Sequence, residues 1–306
     1  MSRRKKGDKI DGVLMLDKPV GLSSNTALQK ARRALNAQKA GHTGTLDPFA
    51  SGLLPLCFGE ATKFSADLLH ADKEYVASIK FGETTTTADV EGEILESRPV
   101  EFTEEDLRKA LEALTGEIEQ IPPMYSALKK DGVRLYELAR QGQEVEREPR
   151  RVTIYELELL SFSKPQAIVR VKCSKGTYVR VLGEDLGKIL GCGAHLTALR
   201  RTKIADIDIS EAVDLQQLEE ADGPQRAAML DPPDRLLSQL EPIELKEEFA
   251  VRFLHGQSIT ISGSEKSDKK VKVYKLSEGK RELLGCAWLS KDGVLSPERL
   301  ISNSGI

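Results

Sequence analysis

Between Gly41 and Gly59 the chain places Gly41, Gly44, Gly52, Gly59, Pro48 and Pro55 around a single acid, Asp47. Glycine lets a backbone turn tightly and lets a ligand come close, while Pro48 fixes the chain direction just after the acid. Such a loop can hold one carboxylate at a set angle. An Asp-Pro pair is also a common turn device, and local sequence by itself favours that plainer use. Three chemistries compete with it. Gly41-x-x-Gly44 suggests a phosphate cradle, but the Lys-Ser/Thr pair that holds triphosphate and magnesium is missing. An aspartyl phosphotransferase wants further acids for magnesium close by, and a two-carboxylate glycosidase wants a second acid that the sequence supplies only at a distance. A lone carboxylate can still act at a glycosidic bond if a cation keeps it ionised and the leaving group needs no proton. Arginine does this with a fork that also aims the acid. The candidate is Arg180, which follows Ser174-Lys175-Gly176-Thr177-Tyr178-Val179, although the same spacing equally allows a surface arginine balancing Glu184 one turn later.

Several elements must position these groups. The apolar run Gly12-Val13-Leu14-Met15-Leu16 reads as a buried strand that stops at Asp17-Lys18-Pro19. Ser23, Ser24 and Asn25 then offer caps for a helix with Ala27, Leu28, Ala31 and Leu35 on one face, ending before Gly41. Lys73 to Phe81 alternates as a strand, with Tyr75, Ala77, Ile79 and Phe81 on one side and Tyr75 at its mouth end. Thr103 and Asp106 form a capping signature for an amphipathic helix over 103–115, closed off by Pro122-Pro123. Strands are expected at 151–160 and 167–173, with a bulge where the apolar phase slips between Ile154 and Leu157. Thr177 is expected to cap a helix carrying Val181, Leu182, Leu186, Ile189 and Leu190 that Gly191 stops, and another strand should follow between His195 and Ile209. The acidic, proline-containing stretch from Glu220 to Pro242 reads as a connector. Beyond it, Ser258 to Ile261, Lys270 to Leu276 and Glu282 to Leu289 are short strand candidates in the pattern of a small β barrel.

A chain of 306 residues that is 40% hydrophobic can bury one large core or two unequal ones. Nothing approaches the roughly 18 to 20 uninterrupted apolar residues of a membrane span, and Arg3, Arg4, Lys5 and Lys6 open a start without an apolar signal core, so a cytoplasmic protein is expected. Residues 1–10 are polar and basic and are expected to be disordered until they meet a partner. Cys57, Cys173, Cys192 and Cys286 lie far apart without metal-ligand spacing, which argues against a disulfide framework or a zinc site. The net charge of -3 conceals segregation along the chain. Asn25 to Leu46 holds four basic residues and no acid, Val171 to Lys203 holds seven basic against two acidic, and Glu211 to Glu248 holds eleven acidic against three basic. One positive and one negative face suit a polyanion held in a fixed orientation, although simple solubility explains such a distribution as well.

Six runs occur together and in order over residues 12–210: Leu16-Asp17-Lys18-Pro19-x-Gly21-x-Ser23-Ser24, Gly41-His42-Thr43-Gly44-Thr45-Leu46-Asp47-Pro48, Gly59-Glu60-Ala61-Thr62-Lys63, Pro123-Met124-Tyr125-Ser126-Ala127-Leu128-Lys129, Lys175-Gly176-Thr177-Tyr178-Val179-Arg180 and Gly193-Ala194-His195-Leu196-x-x-Leu199-Arg200-Arg201. In this the chain resembles the bacterial tRNA pseudouridine synthase B family. The resemblance implies isomerisation of uridine 55 in the T loop of tRNA to pseudouridine, without a cofactor or metal. It implies Asp47 as nucleophile, Tyr75 as the tyrosine that stacks on the target base, and Arg180 as the arginine paired with the aspartate. It further places His42 in the space the flipped base vacates, Tyr178 and Leu199 at the uridine pocket, and Lys18 and Lys63 among substrate-binding residues.

The fold implied is mixed α+β: a pseudouridine synthase domain over 11–240 with a central, mostly antiparallel sheet and flanking helices, then a small PUA-like RNA-binding β barrel over 245–306. The partners implied are the T stem-loop of tRNA and, through the small domain, its acceptor end, with no membrane and a monomeric state. Guide-RNA-dependent relatives usually carry long basic tails, and the chain ends at Ile306 without one, so an enzyme without guide RNA is expected. The competing readings are a non-catalytic RNA-binding or tRNA-folding protein on the same scaffold, and a carboxylate-dependent glycoside hydrolase.

Overall fold

The computed structural model describes residues 7–126, 128–261, 268–277 and 279–302. The expectation for the basic start therefore lies largely outside the described residues. Within them, Asp8 is tied down: its amide donates to the Asn36 carbonyl and its own carbonyl accepts from Gln38.

Among the described residues the larger unit is a ten-stranded sheet. Its main path runs Val213–Asp214, Gly12–Lys18, Ser51–Phe58, Ala194–Ile204, Lys73–Phe81, Gln166–Cys173, Arg150–Ser163, Gly116–Gln120, with Ala40–His42 and Ile207–Asp208 as side branches. Pairing is antiparallel except where Gly12–Lys18 meets Val213–Asp214 and where Ser51–Phe58 meets Ala194–Ile204. That second parallel contact is short, with Arg200 opposite Ser51 and Arg201 opposite Gly52. Only glycine permits it: Gly52 has φ +107°, and a Cβ there would lie 2.3 Å from the Arg201 carbonyl oxygen.

The Ser24–Ala34 helix packs Ala27, Leu28 and Ala31 against Leu14, Leu16, Leu54 and Leu56 of two central strands. On another part of the sheet, Val179–Ile189 buries Val179, Leu182 and Leu186 in a core shared with Ala77, Ile79 and Leu196. This helix lies close on its strand, since a Cβ on Gly187 would fall 2.3 Å from the Ala194 nitrogen. Glu104–Ala113 begins at the expected Thr103–Asp106 capping box. The expected bulge is present as a register shift between Ile154 and Glu156.

Three expectations need correction. The chain does not run from the Glu104–Ala113 helix straight to Pro122, because Gly116–Gln120 adds a strand against Arg150–Ser163. With Ile118 as its one strongly apolar residue, that strand carries little periodic signal. Thr177 does not cap the following helix, since its hydroxyl donates to the Ser174 carbonyl and the N-cap is Tyr178. The 220–242 stretch is not a bare connector. It contains the helix Gly223–Ala228 and the 3₁₀ turn Pro233–Leu237, whose Leu236 and Leu237 join a core with Val13, Leu53 and Phe64.

Among the described residues the smaller unit is a five-stranded sheet in the order Glu241–Leu245, Lys269–Ser277, Lys280–Leu289, Val294–Leu300, Ile259–Thr260. The helix Glu247–Leu254, which the sequence reading did not anticipate, packs Ala250 and Phe253 onto Val271, Val273 and Leu295. Cys286 points the other way, into the core of Val13, Leu53 and Phe64, so the two sheets share apolar packing. No helix among the described residues is long and apolar enough to cross a membrane.

Candidate active site

Asp47 lies in the loop between Ala40–His42 and Ser51–Phe58. Its carbonyl accepts a hydrogen bond from the Ala50 amide, 3.1 Å, so the Asp-Pro turn foreseen from local sequence exists in the backbone. The turn leaves the carboxylate for other work. Its Oδ2 stands 3.0 Å from Nε of Arg180, whose side chain is 4% exposed, whereas the Asp47 side chain is 37% exposed and can be reached from outside. The bland reading of Arg180 as a surface charge balancing Glu184 is thereby overturned.

The Arg180 guanidinium is fully committed. One Nη donates to the Thr87 carbonyl at 2.9 Å and stands 3.4 Å from the Asp89 carboxylate, and the other donates to the Tyr125 carbonyl at 2.6 Å. Asp89 is 3% exposed and accepts hydrogen bonds from the Thr87 hydroxyl and the Glu91 amide. Its neighbour Ala88 has φ +60°, a left-handed conformation that costs a non-glycine residue on the order of 1–2 kcal/mol. The strain sits where Asp89 is turned toward the arginine, against Leu196 of the central strand. Burial pushes the Asp47 carboxyl above its ordinary value, Arg180 pulls it down, and Asp89 adds to the rise.

Tyr75 stands opposite Arg201 across the strand pair and packs against a core that includes Leu46 and Leu199. Burial raises its phenol and the nearby Arg201 opposes this. Arg201 is 1% exposed, donates from Nε to the Leu53 carbonyl at 2.7 Å, and keeps one buried Nη without a partner among the described residues. His42, at the end of its short strand, is held below its usual pKa by burial and by the Arg201 charge.

Tyr178 brings its backbone to Gln120: its amide donates to the Gln120 side-chain oxygen at 3.0 Å, and its carbonyl accepts from the Gln120 amide at 3.3 Å. This distant side chain fixes the helix start that Thr177 was expected to cap.

The two lysines differ from the rest. Lys18 has no exposed surface; its amine donates to the Pro19 and Leu22 carbonyls, and burial lowers its pKa to about 8 while Asp47 opposes the drop. Lys63 is spent elsewhere, on Glu60, the Leu300 carbonyl and the Ser302 hydroxyl at the seam with the smaller sheet. Asp89, Gln120 and Ser24 were missed as parts of the site. Only Ser24 carried a signal, as a second serine at a helix start that needs one cap.

One buried arginine thus orients two carboxylates, one of them accessible, beside a tyrosine and in a loop built for close approach. Residues 32–179 match the model for the N-terminal domain of the TruB family pseudouridylate synthases. Residues 180–244 match the tRNA pseudouridylate synthase B C-terminal domain, and 242–301 the C-terminal model of pseudouridine synthase II TruB. A tRNA pseudouridine synthase B of Ralstonia nicotianae is 56% identical over 95% of this chain and 94% of its own length. The chain belongs to the TruB family. Another TruB relative, the tRNA pseudouridine synthase B of Burkholderia lata, is also 56% identical, over 95% of this chain and 90% of its own. Among solved structures, an archaeal box H/ACA Nop10–Cbf5 complex matches with TM-score 0.71 and 25% identity, over 94% of this chain and 85% of that one. An H/ACA particle bound to a substrate RNA containing 2′-deoxyuridine matches with TM-score 0.71 over 99% of this chain and 92% of that one; at 21% identity it speaks for the fold alone.

Proposed function

We propose that this TruB-family chain is a tRNA pseudouridine synthase that isomerises uridine 55 of the T loop, with Asp47 as its nucleophile. The reaction class follows from the named relatives at 56% identity across nearly the whole chain. The assignment of Asp47 is carried by one observation: an accessible carboxylate held 3.0 Å from a buried arginine whose other nitrogens are all engaged.

The isomerisation balances within the substrate. The N1–C1′ bond breaks and a C5–C1′ bond forms, C5 loses a proton and N1 gains one. What the protein must supply is access, a nucleophile and orientation. A base in a folded loop is reached by flipping it out, which costs a few kcal/mol, and stacking on an aromatic ring returns about 1–3 kcal/mol. The stacking role is assigned to Tyr75, which packs against the core that includes Leu199, and Tyr178 stands at the start of the Arg180 helix. His42, at the end of the strand that leads into the loop, is assigned to the space the base leaves. Arg180 keeps Asp47 ionised against its burial and helps fix its angle. Lys18 acts beneath the loop, because its amine is buried on backbone carbonyls.

Action as a monomer, without guide RNA and in the cytoplasm where tRNA is handled, is part of the same proposal. The smaller sheet, fastened at Lys63, is assigned to the acceptor end of the same tRNA.

Nucleotide analysis of unmodified tRNA incubated with wild type and with Asp47→Asn tests the reading. The variant is expected to bind tRNA and form no pseudouridine. Pseudouridine formation that survives in Asp47→Asn sinks the nucleophile assignment, and binding without turnover in the wild type leaves only an RNA-binding protein.

A further inference from the structure

Arg180 holds the Asp47 carboxylate at one oxygen, but the side chain is more than a third exposed, so that contact and packing do not by themselves set its angle. The backbone on either side must share that task. Leu46, just before it, is held by Ser24: the Ser24 hydroxyl accepts from the Leu46 amide at 2.8 Å and donates to the Leu46 carbonyl at 3.0 Å. A single buried hydroxyl, on a residue 1% exposed, thus satisfies both backbone groups of one loop residue. Pro48, just after Asp47, is held from the same segment, its carbonyl accepting from the Gly21 amide at 2.7 Å.

The brace stands on firm ground. Ser24 opens the Ser24–Ala34 helix, whose Ala27, Leu28 and Ala31 are locked into the core of the central strands. Lys18 closes the turn from which Gly21 projects, through its bonds to Pro19 and Leu22. Ser24 is also not needed as the helix cap. Ser23 performs that task by accepting from the Thr26 amide, so the second serine is free to reach Leu46 across 22 residues of chain.

We propose that Ser24 is a positioning residue for catalysis, acting on Asp47 through the backbone of Leu46. The inference rests on Asp47 being the nucleophile. Misplacing a reacting group by about 1 Å can cost on the order of 10²-fold in rate without a change in binding. Ser24→Ala removes the hydroxyl. Ser24→Cys keeps the volume and packing but offers only a weak hydrogen-bonding thiol.

Both variants are assayed well below their own melting temperatures for kcat, KM and tRNA affinity, beside Asp47→Asn. The expected result is a fall in kcat between roughly tenfold and 10²-fold, with KM and tRNA affinity within about twofold of wild type. Wild-type kcat in the folded variants, or a rise in KM with kcat unchanged, overturns the role of Ser24 while leaving Asp47 intact. Activity in Asp47→Asn overturns the nucleophile instead, which keeps the two failures apart.

Discussion

Arg180 serves two carboxylates with one guanidinium, and the consequence is a testable acid limb. Asp47 acts as a nucleophile only when ionised, so protonation switches turnover off as pH falls through its pKa. Burial raises that pKa, and the limb is therefore expected above the ordinary carboxylate range; a kcat profile flat down to about pH 4 would show that the carboxyl is not raised when substrate is bound. Asp89 contributes to the rise as a like charge. Asp89→Asn should move the limb to lower pH, and an unmoved or raised limb would show that the two acids do not interact. At this scale six glycines and prolines around one acid marked Asp47 as a candidate, but local spacing ranked it below a plain turn, and the nucleophile role came from the family resemblance. Its competing use as a turn proved compatible, since the turn occupies the backbone and leaves the carboxylate free. Asp89 was not legible. Its place depends on a bridge to Leu196 and on a left-handed Ala88, neither of which leaves a trace in local spacing.

Among elements, the helix that carries Arg180 was read correctly from its apolar face and from the stop at Gly191, but its beginning was not. The start is fixed by Gln120, a 2%-exposed residue on a strand 58 positions earlier, and a partner so remote cannot be seen from a capping pattern. Strands of the central sheet were legible where alternation ran long, as in Lys73–Phe81, and even the bulge after Ile154 showed as a slip of phase. Gly116–Gln120 was too short and too charged to show. Gln120→Ala leaves the half-buried Tyr178 amide without its partner, at a cost of about 1 kcal/mol. It should lower the urea midpoint and, by loosening the first turn that bears Arg180, lower kcat too. Gln120→Glu keeps the volume and the acceptor oxygen and should recover part of both; equal loss in the two variants would mean that accepting from the Tyr178 amide is not what fixes the helix start.

For the molecule as a whole, the relation between the two sheets decides what Lys63 does. Its amine bridges Glu60 to the Leu300 carbonyl and the Ser302 hydroxyl, and nearby Lys270 bridges Asp67 of the larger unit to Glu298 of the smaller. Beneath these contacts Cys286 is packed with Val13, Leu53 and Phe64, so the seam is apolar inside and ionic at its edge. Family resemblance counts Lys63 among substrate ligands, whereas the geometry gives it to the seam. Salt dependence separates the roles, because each phosphate contact adds about 0.7–0.9 to the slope of log affinity against log salt. Lys63→Met is therefore expected to lower the melting temperature while leaving that slope for tRNA unchanged. A slope reduced by about one with the melting temperature preserved would return Lys63 to the RNA, and the smaller sheet would then have to be held by Lys270 and the apolar packing alone.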